Sequence, residues 1–159
     1  MGLMFLPNLS LALRLFHNAL VPNGKIAAAV TPSLDKVPVV NLAFLAVLKK
    51  LNLPPPSSDT PPFHLSDPLA LQNALIKDGF QDVKTENMIV TLRLDSPDSF
   101  TNYHKAISAP IHELLVGQKT EKQNEIWQAV TEAAKSHTNS KGEVVLDNEV
   151  IYCVGTHTS

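Results

Sequence analysis

One cysteine, Cys153, stands in 159 residues, so no internal disulfide can form, and no Cys/His spacing of the zinc-site type occurs. Cys153 falls in an apolar stretch and reads as a small core residue rather than a reactive thiol. Glycine is scarce as well. The six are Gly2, Gly24, Gly79, Gly117, Gly142 and Gly155, and no two stand close enough to form a phosphate-cradling loop. The six histidines, His17, His64, His104, His112, His137 and His157, include no HExxH pattern and no helical ligand pair. Neither sign of charge dominates: a net charge of −2 gives no electrostatic basis for a nucleic-acid or anionic-lipid partner. Long apolar runs are missing too. Met1–Leu15 is leucine-rich but has no basic start, is broken by Pro7-Asn8, and carries Arg14 where a signal sequence would stay apolar. Val37–Leu48 contains Pro38 and Asn41 and is too short to span a bilayer. The expectation is a cytoplasmic chain with no membrane span.

What is present is ordinary globular composition, 44% hydrophobic and 18% charged, enough for a single domain over residues 1–159. Gly2–Leu6 reads as the end of a buried strand stopped by Pro7-Asn8. Asn8 or Ser10 caps a helix whose stripe is Leu9, Ala12, Leu13, Phe16 and Leu20. Pro22-Asn23-Gly24 is a turn, and Lys25–Val30 is apolar enough for a strand covered on both faces, as in a parallel sheet. Together these predict a right-handed βαβ unit. A second helix, Val39–Leu51, is apolar almost all round, which fits deep burial, a partner, or an apolar ligand. The Pro-rich loop 54–62 reads as a lid or semi-rigid linker.

Ser66-Asp67-Pro68 opens a helix bearing Leu71, Ala74 and Leu75 that ends at Asp78-Gly79. Phe80 leads into a strand over Val83–Leu94, with Met88, Val90, Leu92 and Leu94 on one face and Ile89, Thr91 and Arg93 on the other. Further helices begin at Ser96-Pro97, near Ala109-Pro110, and at Thr120, where Gln123 completes a capping box. The last of these buries Ile126, Val130 and Ala133, with Trp127 alongside. A final strand covers Val144–Val154, with Val144, Leu146, Val150, Tyr152 and Val154 on one face.

The order of these pieces resembles the C-terminal half of class I S-adenosylmethionine-dependent methyltransferases, of the ubiquinone/menaquinone-biosynthesis type. Gly2-Leu3-Met4-Phe5-Leu6-Pro7-Asn8 is similar to that family's fourth strand and the loop after it. Phe16 to Val30 is similar to its "RVLxPGGxxxxxVW" segment, in which a helix ends, a Pro-Gly turn follows and the fifth strand begins. Leu75 to Phe80, "LxxxGF", is similar to the approach to its sixth strand, and Gly142 to Gly155 to its last. Asn18, Asn23 and Thr31 depart from the pattern, standing where arginine, glycine and tryptophan are usual. The fold the resemblance implies is α/β: a partial Rossmann-like methyltransferase sheet, strands four to seven with flanking helices, in the order four, five, seven, six.

The resemblance also implies S-adenosylmethionine as cofactor, with Met4 and Phe5 beside it at the carboxyl end of a strand. The glycine-rich turn and the acidic ribose-binding residue of such folds would precede Gly2, and Met1 would then be an internal methionine of the strand-four segment. The isolated chain is therefore expected to lack activity and to need a complementing N-terminal half. The methyl acceptor is expected to be a small, apolar molecule near Phe44, Tyr103 and His104. His104, or His112 beside Glu113, offers a base toward an acceptor hydroxyl, and Asp35 can face the acceptor. Each of these residues also reads plainly as core or solvated surface. The competing expectation is a non-catalytic scaffold that forms a homodimer through the edge exposed at Gly2–Leu6.

Overall fold

A computed structural model describes residues 2–57 and 63–158. Met1, Ser159 and residues 58–62 of the Pro-rich loop lie outside the described residues, while residues 54–57 are exposed and without regular structure. The described chain is mixed α/β. In order it comprises α1 (Leu9–Ala19), β1 (Lys25–Val30), α2 (Pro38–Leu51), α3 (Pro68–Lys77), β2 (Gln81–Leu94), α4 (Pro97–Ile107), α5 (Ala109–Leu115), α6 (Thr120–Lys135) and β3 (Val144–Thr156). Single 3₁₀ turns occupy Leu3–Phe5 and Leu34–Lys36.

The strands form one three-stranded antiparallel sheet in the order β1-β3-β2. β1 runs against β3 with Lys25 opposite Thr156 and Val30 opposite Ile151. Two expectations are thereby corrected. β1 lies antiparallel to its neighbour rather than in a parallel pair, and Gly2–Leu6 contributes no strand, so no βαβ unit forms. The physical reason is local. The Phe5 and Leu6 N–H groups donate to the Gly2 and Leu3 carbonyls at 3.0 and 3.2 Å, which satisfies them within one turn, and Pro7 has no N–H to extend a ladder.

The chain divides into two compact, discontinuous units: residues 1–37, 57–90 and 149–159, and residues 38–56 and 91–148. The first is built on Leu3, Met4, Leu13, Val30, Leu71, Leu75, Phe80, Ile151 and Cys153. Its helix starts follow the sequence: the Asn8 side chain accepts the Leu11 N–H at 3.0 Å, and Asp67 accepts that of Leu69 at 2.9 Å ahead of Pro68. Ser10 Oγ donates to Asp78 Oδ1 at 2.7 Å, joining α1 to the end of α3.

The second unit packs α2, α4, α5 and α6 around Ala43, Val47, Phe100, Ile111, Ile126, Trp127, Val130, Val144 and Leu146. Ser96 caps α4 through the Ser99 N–H at 3.1 Å. The expected capping box at Thr120 does not form. The Gln123 amide instead donates to the Leu115 and Gln118 carbonyls at 3.3 and 3.0 Å and ties α5 to α6.

Alternation in the two long strands also differs from expectation. In β3 the buried residues are Val144, Leu146 and Asn148, then Ile151, Cys153 and Gly155, so the buried face changes parity along the strand. In β2, Met88, Ile89 and Val90 are all exposed. Alternation fixes which way a side chain points, not whether anything covers it.

Candidate functional site

Among the described residues no strand pairs with the edge of β1 that faces away from β3, and apolar surface lies open beside it. A groove of about 600 Å³ runs along that edge, lined by Lys25–Ala29 together with Gly2, Leu3, Leu6, Phe16, Ala19 and Leu20. Alanine at positions 27, 28 and 29 explains the hollow, because methyl groups leave both faces of the strand low where Ile or Val would stand higher. Met4 and Phe5 sit in the turn bordering this groove. Met4 is core, only 2% exposed, whereas the Phe5 ring is 62% exposed.

The expected acceptor residues belong to the second unit. Phe44 is half-buried against its core. Tyr103 and His104 follow one another on α4, and the His104 ring makes edge contacts with Phe100 at 4.6 Å and Tyr103 at 5.4 Å between ring centres. His104 is 4% exposed, and among the described residues neither ring nitrogen has a hydrogen-bond partner. Burial lowers its pKa from the ordinary histidine value, offset only in part by the nearby Val39 backbone, and so favours the neutral ring. His112 behaves differently. Its Nε2 lies 2.8 Å from the Lys105 carbonyl, which requires Nε2 to carry the proton, and its ring tilts against Trp127, over which the Lys105 ammonium sits at 5.6 Å. Asp35 is exposed in the Leu34–Lys36 turn, its carboxyl held below the usual range chiefly by the Ser33 hydroxyl.

Three arrangements were not singled out by the sequence. His17 and His157 lie 140 positions apart in the chain, yet their rings meet at 4.1 Å. The Leu20 and Val21 carbonyls at 3.1 and 3.2 Å make His157 Nδ1 the protonated nitrogen. The second is Asn148, buried on β3, whose side chain reaches the start of α2. The third is a groove of about 900 Å³ between α2 and α6, lined by neither Phe44, Tyr103 nor His104. Only the strong apolarity of α2 hinted at it.

Among the described residues no cluster of three or more His, Cys, Asp or Glu side chains can hold a metal ion, and no helix is long and apolar enough to cross a membrane. No protein-family model and no curated protein matches this sequence.

Proposed function

We propose that these residues form the C-terminal part of a class I S-adenosylmethionine-dependent methyltransferase fold acting on a small, apolar acceptor in the cytoplasm, with the cofactor cradle supplied by another polypeptide segment. The observation that carries the reading is the strand order. β1-β3-β2 is the order that the resemblance gives to strands five, seven and six, and β1 keeps a free edge on the side where strand four would pair. The Pro22-Asn23-Gly24 turn leads into β1 and Gly79-Phe80 leads into β2, and these are two of the steps on which the resemblance rests.

Phe5 is the residue of this set free to touch a cofactor, and Met4 backs it from the core. Phe44, Tyr103 and His104 are the acceptor-side residues. Methyl transfer from a sulfonium asks mainly for positioning, so the lack of an acid–base constellation is compatible with it. The chain holds no glycine-rich turn through which backbone could approach the adenosine and sulfonium. The same free edge also favours a second reading, a non-catalytic chain that pairs strands with a copy of itself.

Calorimetry separates these. The 159-residue chain should give no heat with S-adenosylmethionine. Mixed with or fused to a glycine-rich front half of this family, it should gain binding, and the β1 edge amides should become protected from hydrogen exchange. Micromolar affinity of the chain alone, or no binding and no protection with any front half, would overturn the proposal.

A further inference from the structure

We infer that the outer edge of β1 docks an extended segment of a different polypeptide, one that sets a carboxylate beside Lys25 and large apolar side chains toward α1. The inference rests on the reading of that edge as a pairing site and names the chemistry of what pairs there.

The backbone pattern shows which groups face the groove. Lys25 stands opposite Thr156, so the same register sets Gly24 opposite His157, and the His157 N–H donates to the Gly24 carbonyl at 2.8 Å. Pairs of this hydrogen-bonded kind alternate along an antiparallel ladder. Ile26, Ala28 and Val30 therefore turn their N–H and C=O groups toward β3, while Lys25, Ala27 and Ala29 turn theirs away from it. Among the described residues no strand stands on that side to receive them. Donors and acceptors spaced along an edge in this way are matched by another extended backbone, not by a helix or a small molecule.

Side-chain space and charge select the occupant. Ile26 and Ala28 pack against the core of the first unit, so Lys25, Ala27 and Ala29 take the other face of the strand. On the core side the groove floor is Leu3, Leu6, Phe16, Ala19 and Leu20, and Phe16 is 42% exposed. A strand laid along β1 lowers every second side chain onto this floor, and large apolar residues fill it beside Ala28. Lys25, at one end of the groove, takes part in no ion pair among the described residues. An acidic residue opposite it completes a cross-strand pair. A second copy is the poorer match: residues 23–31 contain no acid to face Lys25 and bring three alanines of their own.

Amide hydrogen exchange on the full chain, read by NMR, tests it with the synthetic peptide Val-Thr-Ile-Thr-Val-Glu and its reverse, which cover both strand senses. With one of them at saturation, exchange at Ala27 and Ala29 should slow by about tenfold, the contribution of one hydrogen bond. Ala28, already bonded to β3, should change little. Alanine in place of the peptide's Val and Ile should abolish binding, Phe16→Ala should weaken it, and Lys25→Glu should switch the preference to peptides ending in Lys. Ala27 and Ala29 amides as protected as Ala28 in the free chain, protection by neither peptide, or equal protection by the alanine peptide would overturn the inference. So would a dimer of the free chain that protects the same two amides, which would assign the edge to a copy. No S-adenosylmethionine enters the experiment, so its outcome is separate from the cofactor binding that tests the methyltransferase reading.

Discussion

Asn148, on β3, caps α2 from more than a hundred residues away: its side-chain oxygen accepts the Val39 N–H at 2.9 Å while its amide donates to the Leu146 carbonyl at 3.0 Å. α2 begins at Pro38, which has no N–H to satisfy, so Val39 presents the first orphan donor of the helix. Because Asn148 is buried, removing its side chain leaves that donor without a replacement from water. Asn148→Ala should cost about 1–2 kcal/mol of stability, read as a lower denaturant midpoint. Asn73→Ala, on the exposed side of α3, should change it by less than about 0.5 kcal/mol.

His104 gives a pH signature. Its folded pKa lies below its ordinary value of 6.5, with burial as the main cause. Below about pH 6.5 the unfolded chain binds a proton that the folded chain refuses, so this contribution to stability is intact above that pH and is lost as pH falls. Stability measured by denaturant between pH 8 and pH 5 should therefore decline on the acid side. His104→Phe, which removes both orphan nitrogens and the titrating group, should flatten the decline. An unchanged slope in that variant would assign the acid sensitivity elsewhere.

The helices were legible because their signals are local. Asn8, Asp67-Pro68 and Ser96-Pro97 start helices through side chains that bond within three residues, and they do so as the sequence indicates. β1 and β3 were legible as strands by their apolar runs, but their mutual sense was not, since an apolar run reads alike in either direction. Gly2–Leu6 misled for a related reason. Five apolar residues can serve as strand or turn, and here the turn closes on its own backbone hydrogen bonds, at 3.0 and 3.2 Å. The groove walls and the Asn148 cap depend on pairings far apart in sequence, which no short window contains.

Cys153 is fully buried on β3, and burial pushes its thiol up to about 11. The thiolate is the reacting form, so at pH 8 both access and ionisation oppose modification. An aromatic disulfide reagent should label Cys153 at the rate of unfolding in the native chain and within seconds in denaturant. Rapid labelling of the native chain would show that the first unit opens readily around β3.

Asn23 adopts φ +63, the left-handed conformation, in the turn between α1 and β1, where the resembling family favours glycine. Its N–H donates to the His157 carbonyl at 2.8 Å, and the His157 N–H donates to the Gly24 carbonyl at 2.8 Å, so the turn holds the end of the sheet in register. Asparagine visits this region at modest cost, whereas a β-branched side chain does not. Asn23→Gly should therefore shift stability by less than about 1 kcal/mol in either direction, because relief of the left-handed strain offsets the greater freedom of the unfolded chain. Asn23→Val should lose about 1–2 kcal/mol. Gly24 is constrained differently: a Cβ there would lie 2.7 Å from the Val21 carbonyl oxygen, so Gly24→Ala must displace the turn. If thermal melts ranked Asn23→Val as the mildest of the three, the turn would not be holding the β1–β3 register.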